Sequence, residues 1–271
     1  MASKNPVLRN IKTPVISDEE LARIVNGGQL PGQATMADVT NHTFAIFGLV
    51  AIGAFYGWST SLKTVDGFLT IANTGVIMGS MVVALILGLV NSFKKVASPF
   101  LILGYGLAEG VMLGGLSHWI DATGYVQNAQ LQSGSTSSIA QQALIGTVTV
   151  FVVMLALYRS KIIKVTGRFQ KMFMVAMTAY FFIAIASMIA AMAHVGNGWG
   201  FFGVGQLGVL LCVFGVGLAA FSLVMDFEAI TQAIGQGIPK NESWRLAFGL
   251  TVSLVWLYTE LLRLLAILNR R

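Results

Sequence analysis

Charged residues are scarce in this sequence. Only 10% of its 271 residues are Asp, Glu, Lys or Arg, whereas 55% are hydrophobic. Soluble globular domains carry about a quarter charged residues, so this composition excludes that class. The net charge of +6 comes from basic residues in short stretches between apolar runs. That placement is a topology signal and excludes a nucleic-acid-binding stripe.

Cysteine is almost absent, and so is any early apolar run. The single cysteine, Cys212, allows neither an internal disulfide framework nor a cysteine-based zinc site. Because residues 1–42 hold no long apolar segment, we expect no cleaved signal peptide, and the first membrane helix should direct insertion. The Ser-x-x-Glu spacing from Ser17 to Glu20 predicts a short helix in this tail, ending near Gly27.

Long apolar runs dominate the remaining chain. Crossing the hydrocarbon core takes about 17–25 mostly apolar residues in a helix. The sequence predicts an all-α integral membrane protein, with an N-terminal tail over 1–42 and a seven-helix transmembrane domain over 43–271. The predicted spans are Thr43–Thr60, Ile71–Phe93, Phe100–Ile120, Ile139–Tyr158, Met172–His194, Phe202–Asp226 and Leu246–Leu268.

The basic residues predict the orientation of the bundle. Thirteen lie in the N-terminal tail and in the second–third, fourth–fifth and sixth–seventh loops, whereas the opposite loops carry only Lys63. Loops rich in Lys and Arg face the cytoplasm. We therefore expect a cytoplasmic N-terminus and a C-terminus on the far side.

Four ionisable residues inside these spans or at their ends are the candidate site: Glu109, Asp226, Glu260 and Arg263. A charged side chain at a helix centre costs about 2.5–3.5 kcal/mol on insertion scales, so each needs a partner or water. Glu109 lies beside the glycine ladder Gly106, Gly110 and Gly114, which predicts a helix–helix contact. It either joins the other three residues or forms a hydrogen bond across helices.

Small residues indicate which faces point inward. Helical spacing leads back from Asp226 through a stripe of small side chains, and Glu260 shares a face with two more. Such stripes mark helix–helix contacts in membranes. The small residues are Ser222, Ala219, Gly215, Cys212 and Gly208 in the sixth span, and Gly249 and Ser253 in the seventh, where Leu257 lies on the same face.

Asp226 and Glu260 are expected to share one side of a helical hairpin, at depths that differ by about one or two turns, because a short loop joins the last two spans. Two facing carboxylates in a low dielectric would share a proton and titrate as a coupled pair. Arg263, one turn beyond Glu260, could neutralise one carboxylate instead. An alternative stays open: Asp226 as a helix-end charge at the interface, and Glu260–Arg263 as a structural ion pair.

Enzymatic activity is not expected, because motifs of intramembrane enzymes are missing from the sequence. It contains no His-Glu-x-x-His run for a zinc protease and no Gly-x-Ser-Gly turn for a serine protease. The last span contains no lysine, which excludes a retinal Schiff base. Two classes remain, an ion-conducting protein and a regulatory membrane protein that acts by contact.

Two C-terminal segments resemble the Bax-inhibitor/YccA family (TMBIM superfamily). They read Leu-Val-Met-Asp-Phe from Leu223 and Val-Trp-Leu-Tyr-Thr-Glu-Leu-Leu-Arg-Leu-Leu from Val255. Seven spans and a basic fourth–fifth loop agree with that family. The long tail and the Glu109-Gly-x-x-x-Gly114 pattern are similar to a bacterial branch. The resemblance covers about residues 43–268.

The resemblance implies a bundle whose last helix is central and enclosed by the other six. It implies a pH-sensitive calcium leak channel of the bacterial plasma (inner) membrane, gated by Asp226 and Glu260. Both carboxylates would contact the permeating calcium, with Arg263 and Glu109 also on the pH-sensing ion pathway. This sequence departs from the usual pattern, which has aspartate at both gate positions.

The same resemblance leaves a second function open. Some bacterial members interact with a membrane-bound ATP-dependent protease, so the alternative is a non-conducting regulatory protein that contacts such a partner. In either case we expect a monomer in the lipid bilayer, with no tightly bound cofactor.

Overall fold

The computed structural model describes residues 32–65, 68–71, 74–128 and 138–269. These residues contain seven helices long and apolar enough to cross a membrane, which confirms the predicted architecture. The helix predicted near Ser17 lies outside the described residues. In chain order the elements are α1 (Met36–Thr60), β1 (Leu62–Val65), β2 (Phe68–Ile71), α2 (Thr74–Phe93), α3 (Pro99–Asn128), α4 (Ile139–Arg159), α5 (Gly167–Met192), α6 (Gly205–Gly235) and α7 (Ser243–Leu268).

Helix α1 begins at Met36, seven residues before the predicted span. Its first turns are polar, so hydropathy does not reveal them. Thr35 and Asp38 form a capping box, in which the Asp38 N–H donates to Thr35 Oγ1 at 3.0 Å. The Thr35 N–H donates in return to Asp38 Oδ2 at 3.0 Å. This exchange satisfies backbone donors at the helix start and fixes it there.

Other helix boundaries also differ from the prediction, among them the end of α3 at Asn128, and two of the differences bear on the site and on the α1–α2 connection. Helix α6 continues to Gly235, so Asp226 lies inside the helix and is not a helix-end charge. Polarity rises after Asp226, but the following residues still favour a helix. Between α1 and α2, the strands β1 and β2 pair antiparallel, with Leu62 opposite Ile71. The predicted second span begins at Ile71, whereas the helix begins at Thr74.

Helices α1 and α3 pack with their backbones almost in contact. A Cβ on Gly110 would overlap the carbonyl of Val50, and one on Gly114 would overlap that of Ala54. Gly53 of α1 approaches the α3 backbone in the same way. Only residues without a Cβ allow two membrane helices to approach this closely. The glycine ladder of α3 is therefore a helix contact, as predicted.

Helix α7 lies inside the bundle. It packs against α1, α3, α4 and α6, and its buried residues include Thr251, Leu257 and Glu260. Helices α2 and α5 lie further out, and only 11% and 17% of the residues in their most apolar stretches are buried. The predicted central position of the last helix is confirmed.

The N-terminal segment holds the loop between α6 and α7. The Ala34 N–H donates to the Ile238 carbonyl, and the Lys240 N–H donates to the Gly32 carbonyl, both at 2.8 Å. Lys240 Nζ also lies 3.1 Å from Asp38 Oδ1. The start of the membrane domain is thereby tied to the α6–α7 hairpin.

Arg245 ties the same hairpin to the loop between α2 and α3. Its Nη2 donates to the carbonyls of Lys94 and Lys95, each at 2.9 Å. The N-terminal segment, the α2–α3 loop and the α6–α7 loop therefore meet on one side of the bundle. Successive crossings place the α4–α5 loop on that side as well, and we call it the basic side.

Candidate functional site

The seam between α6 and α7 holds Asp226 and Glu260 at two different levels. A Cβ built on Gly215 of α6 would lie 2.7 Å from Glu260 Oε2. A Cβ built on Gly249 of α7 would lie 3.9 Å from Asp226 Oδ1. Gly215, which faces Glu260, lies eleven residues before Asp226 on α6. Gly249, which faces Asp226, lies eleven residues before Glu260 on α7. At about 1.5 Å of rise per residue, roughly 16 Å of seam separates the two levels.

The expected depth difference of about one or two turns is therefore too small, since about three turns separate the two carboxylates, and the expectation of a facing pair is wrong for this structure. The short loop does make α6 and α7 antiparallel neighbours. Their register, however, is set by how the loop is closed around residues 236–242, and it brings Gly249 rather than Glu260 level with Asp226. The two carboxylates share a seam but do not form a proton-sharing pair.

Glu260 is buried, with 2% of its surface exposed, and donors from its own helix surround it. Arg263 Nη1 lies 3.1 Å from Oε1 and 3.2 Å from Oε2. Trp256 Nε1 donates to Oε1 at 3.1 Å. Both partners stand about one turn from Glu260 on α7, where helical spacing brings side chains together. The Glu260–Arg263 ion pair proposed as an alternative is thus present.

Neighbouring elements enclose this ion pair. The Arg263 guanidinium lies over the Phe202 ring, 4.5 Å from its centroid, which is a cation–π contact. Tyr180 of α5 places its hydroxyl against Gly215, beside the Glu260 carboxylate. That hydroxyl is buried and has no hydrogen-bond partner among the described residues. The Arg263 side chain is 31% exposed, so the pair is closed at its carboxylate and partly open at its guanidinium.

Asp226 has a different environment. Its Oδ2 atom is buried and has no hydrogen-bond partner within the described ranges. Lys240, Arg245 and Arg263 form ion pairs with other carboxylates there, and no described cation pairs with Asp226. The hydroxyl of Ser253 on α7 lies within hydrogen-bonding reach of the Asp226 carboxyl group. A carboxylate and a hydroxyl therefore occupy this level, where the sequence predicts two carboxylates.

Glu109 stands apart from both levels. Tyr105, one turn earlier on α3, packs edge-to-face on Phe248 of α7, with 5.0 Å between ring centroids. Glu109 is buried, with 9% of its surface exposed. Among the described residues, no hydrogen bond or ion pair joins it to Asp226 or Glu260.

The predicted metal ligands do not converge on one point. Within the described residues, no group of three or more His, Cys, Asp and Glu side chains could hold a metal ion. Calcium takes about 6–8 oxygen ligands in a resident site. Asp226 is partly buried and is a single carboxylate, which is too few ligands for such a resident site.

Three further residues lie beside the two carboxylates, and the sequence predicts their positions to different degrees. Trp256 precedes Glu260 by four residues, a spacing that identifies it as a possible donor. Ser253 is assigned to the inward face of α7 by its spacing, but its level with Asp226 depends on the hairpin register. Tyr180 comes from another helix, and no pattern in the sequence links it to Glu260.

The chain matches a family of known proteins along nearly its whole length. The family described as Bax inhibitor 1 like matches residues 5–270. This chain belongs to the Bax inhibitor 1 like family. A search of curated proteins finds no match. Family membership confirms the resemblance carried by the C-terminal segments and agrees with the seven membrane-spanning helices.

Proposed function

We propose that this Bax inhibitor 1 like protein is a pH-sensitive calcium leak channel, with the α6–α7 seam as its ion pathway. The observation that carries the proposal is Asp226, whose buried Oδ2 has no hydrogen-bond partner among the described residues. An acidic group without a cationic partner inside a membrane bundle marks an ion or proton pathway by default. Calcium, which the resemblance supplies, prefers oxygen ligands and tolerates irregular geometry.

The two carboxylates have separate tasks in this proposal. Asp226 attracts a cation when it is ionised and loses that attraction when it is protonated, which couples flux to pH. Glu260 is already neutralised by Arg263 at 3.1 Å. Its ion pair closes the other level of the seam, because a passing cation meets the guanidinium charge there. Gating therefore depends on two levels in series and does not need direct contact between the carboxylates.

Substitution of Asp226 by asparagine tests the pathway. The change keeps the size of the side chain and removes its titration. Calcium influx into proteoliposomes, measured between pH 5.5 and pH 8 with an internal dye, should lose most of its pH dependence in the Asp226→Asn variant. The matched control is Glu228→Gln, which removes a carboxylate two residues away. Glu228 accepts a hydrogen bond from Tyr158 at 3.0 Å, outside the proposed pathway, so that variant should keep the wild-type profile.

Two outcomes would contradict the proposal. A wild-type pH profile in Asp226→Asn would show that Asp226 does not set the pH response. Flux no higher than that of empty liposomes, for wild type and variants alike, would exclude conduction. The second outcome would favour the contact-dependent regulatory role, including the membrane-bound protease partner that the resemblance suggests.

A further inference from the structure

The loop between α4 and α5 carries a concentrated positive charge. Arg159, Lys161, Lys164, Arg168 and Lys171 are all exposed, and no acidic residue lies between the first and the last of them. None of the five forms an ion pair within the described part of the chain. Such a patch on the basic side is free to bind an anion at the membrane surface.

A shallow apolar groove, open along its length, runs along the outer surface of α5 and starts one turn from this patch. Its lining residues all belong to α5: Met174, Val175, Thr178, Ala179 and Phe182. The Thr178 hydroxyl, the polar group in this lining, donates to the Met174 carbonyl of its own helix at 2.8 Å. The groove therefore offers an occupant an apolar surface without an unsatisfied polar group.

Two of the basic residues share the helix face of the groove. Arg168, Lys171, Val175, Thr178 and Phe182 follow one another at spacings of three or four residues, so they form a single stripe along α5. Lys171 precedes Val175 by about 6 Å along the helix axis. Arg159, Lys161 and Lys164 precede the helix and are not part of this stripe. The stripe thus has two cations at its end near the basic side and an apolar groove extending from them into the membrane.

We propose that this stripe is a binding site for an anionic phospholipid. The phosphate group would lie between Arg168 and Lys171, and one acyl chain would lie in the groove along Val175, Thr178 and Phe182. Arginine suits phosphate because its planar fork donates two parallel hydrogen bonds. Lysine adds a point charge while its apolar stem lies along the helix surface. The two cations match the phosphate group of one lipid molecule, and the adjoining apolar groove matches its acyl chain.

The two cations separate a lipid from the other apolar occupant, a transmembrane helix of a partner protein. Apolar length does not separate them, because the exposed apolar face of α5 continues past Phe182 through Ile189 to Met192. A single acyl chain needs only a narrow apolar groove, and the two cations at its end select a negative headgroup.

Native mass spectrometry of the full-length protein tests the site. The purified protein is titrated in detergent with phosphatidylglycerol or with phosphatidylcholine of the same acyl chains. Wild type should bind the first phosphatidylglycerol at least several-fold more tightly than phosphatidylcholine. The double variant Arg168→Gln/Lys171→Gln should lose that preference. The matched control, Arg159→Gln/Lys161→Gln, removes the same charge from the same loop and should keep it.

The groove is tested by a second pair of variants. Val175→Trp fills it and should weaken binding of the first lipid whatever its headgroup. Val152→Trp makes the same change on α4, where the valine is 55% exposed, and should have no effect. The conservative variant Arg168→Lys/Lys171→Arg retains both charges and should keep the headgroup preference, which separates loss of the site from loss of folding.

Several results would overturn the proposal. Equal losses in the two double variants would indicate diffuse charge attraction without a defined site. Full competition by soluble glycerol phosphate would show that the acyl chain contributes nothing. A dimer in wild type that Val175→Trp dissociates would assign the groove to protein–protein contact.

Discussion

Asp226 and Glu260 show how neighbours decide what a membrane carboxylate does. Both lie on the α6–α7 seam, and both belong to inward faces that the sequence predicts. Glu260 has an arginine and a tryptophan within hydrogen-bonding distance on its own helix. Asp226 has an oxygen without a partner among the described residues. Glu260 is therefore neutralised within its own helix, whereas Asp226 keeps the partnerless oxygen on which the proposed ion pathway rests.

Arg263→Met tests the structural role of the ion pair. It leaves the Glu260 carboxylate buried without its cation, which should destabilise the protein toward the lower end of about 3–5 kcal/mol, because Arg263 is partly exposed. Thermal unfolding in detergent should show a lower Tm. The double variant Glu260→Gln/Arg263→Met should recover much of the loss, since no unpaired charge remains. A double variant no more stable than Arg263→Met would show that the pair contributes packing rather than charge.

Glycines act in this fold at the scale of whole helices. Along the α1–α3 contact they let two backbones touch, whereas elsewhere they border open space. A Cβ on Gly110 would overlap the Val50 carbonyl, while nothing lies within 4 Å of a Cβ on Gly79 of α2. Gly110 is therefore required by the helix that faces it, whereas Gly79 has no facing helix and is not required for packing.

Gly110→Ala and Gly79→Ala form a matched pair of tests. Gly110→Ala should force α1 and α3 apart and destabilise the protein by about 1–3 kcal/mol. Gly79→Ala adds the same methyl group into open space, so it should be neutral or slightly stabilising, since alanine favours helices. The fraction of protein remaining monodisperse after a heating series measures both. Equal effects at the two positions would contradict the close contact of α1 with α3.

Contacts between distant segments organise the whole molecule on its basic side. The N-terminal segment, the α2–α3 loop and the start of α7 are joined there by backbone and side-chain bonds. The same side carries the cations of the α4–α5 loop and is expected to face the cytoplasm. Its contacts anchor the hairpin whose seam holds Asp226.

Cysteine labelling tests this orientation. Single cysteines replacing Lys94 or Lys164 are introduced in a chain whose buried Cys212 has been changed to alanine. A membrane-impermeant maleimide should label them only after the membrane is opened, because basic loops stay in the cytoplasm. A cysteine replacing Val195, which is 40% exposed on the opposite side, should be labelled in intact cells. The reverse pattern would invert the assigned orientation.

Properties that depend on composition and local spacing follow from the sequence alone. Seven apolar runs specify seven helices, because a helix is the simplest way to satisfy every backbone group inside a bilayer. Periodic small residues specify the inward faces of α3, α6 and α7, and the i,i+3 spacing of Glu260 and Arg263 specifies their ion pair. The polar first turns of α1 and the last turns of α6 escape a hydropathy reading, since capping and helix propensity set those boundaries.

Only the tertiary structure decides which of these faces meet and at what level. The pairing of Asp226 with Gly249 and Ser253, and of Glu260 with Gly215 and Tyr180, depends on the register of the α6–α7 hairpin. Shifting two packed helices by one turn moves side chains by about 5.4 Å while keeping every local pattern unchanged. Helical periodicity therefore fixes the direction in which a side chain points, but the depth of its partner depends on loop closure and close packing between helices.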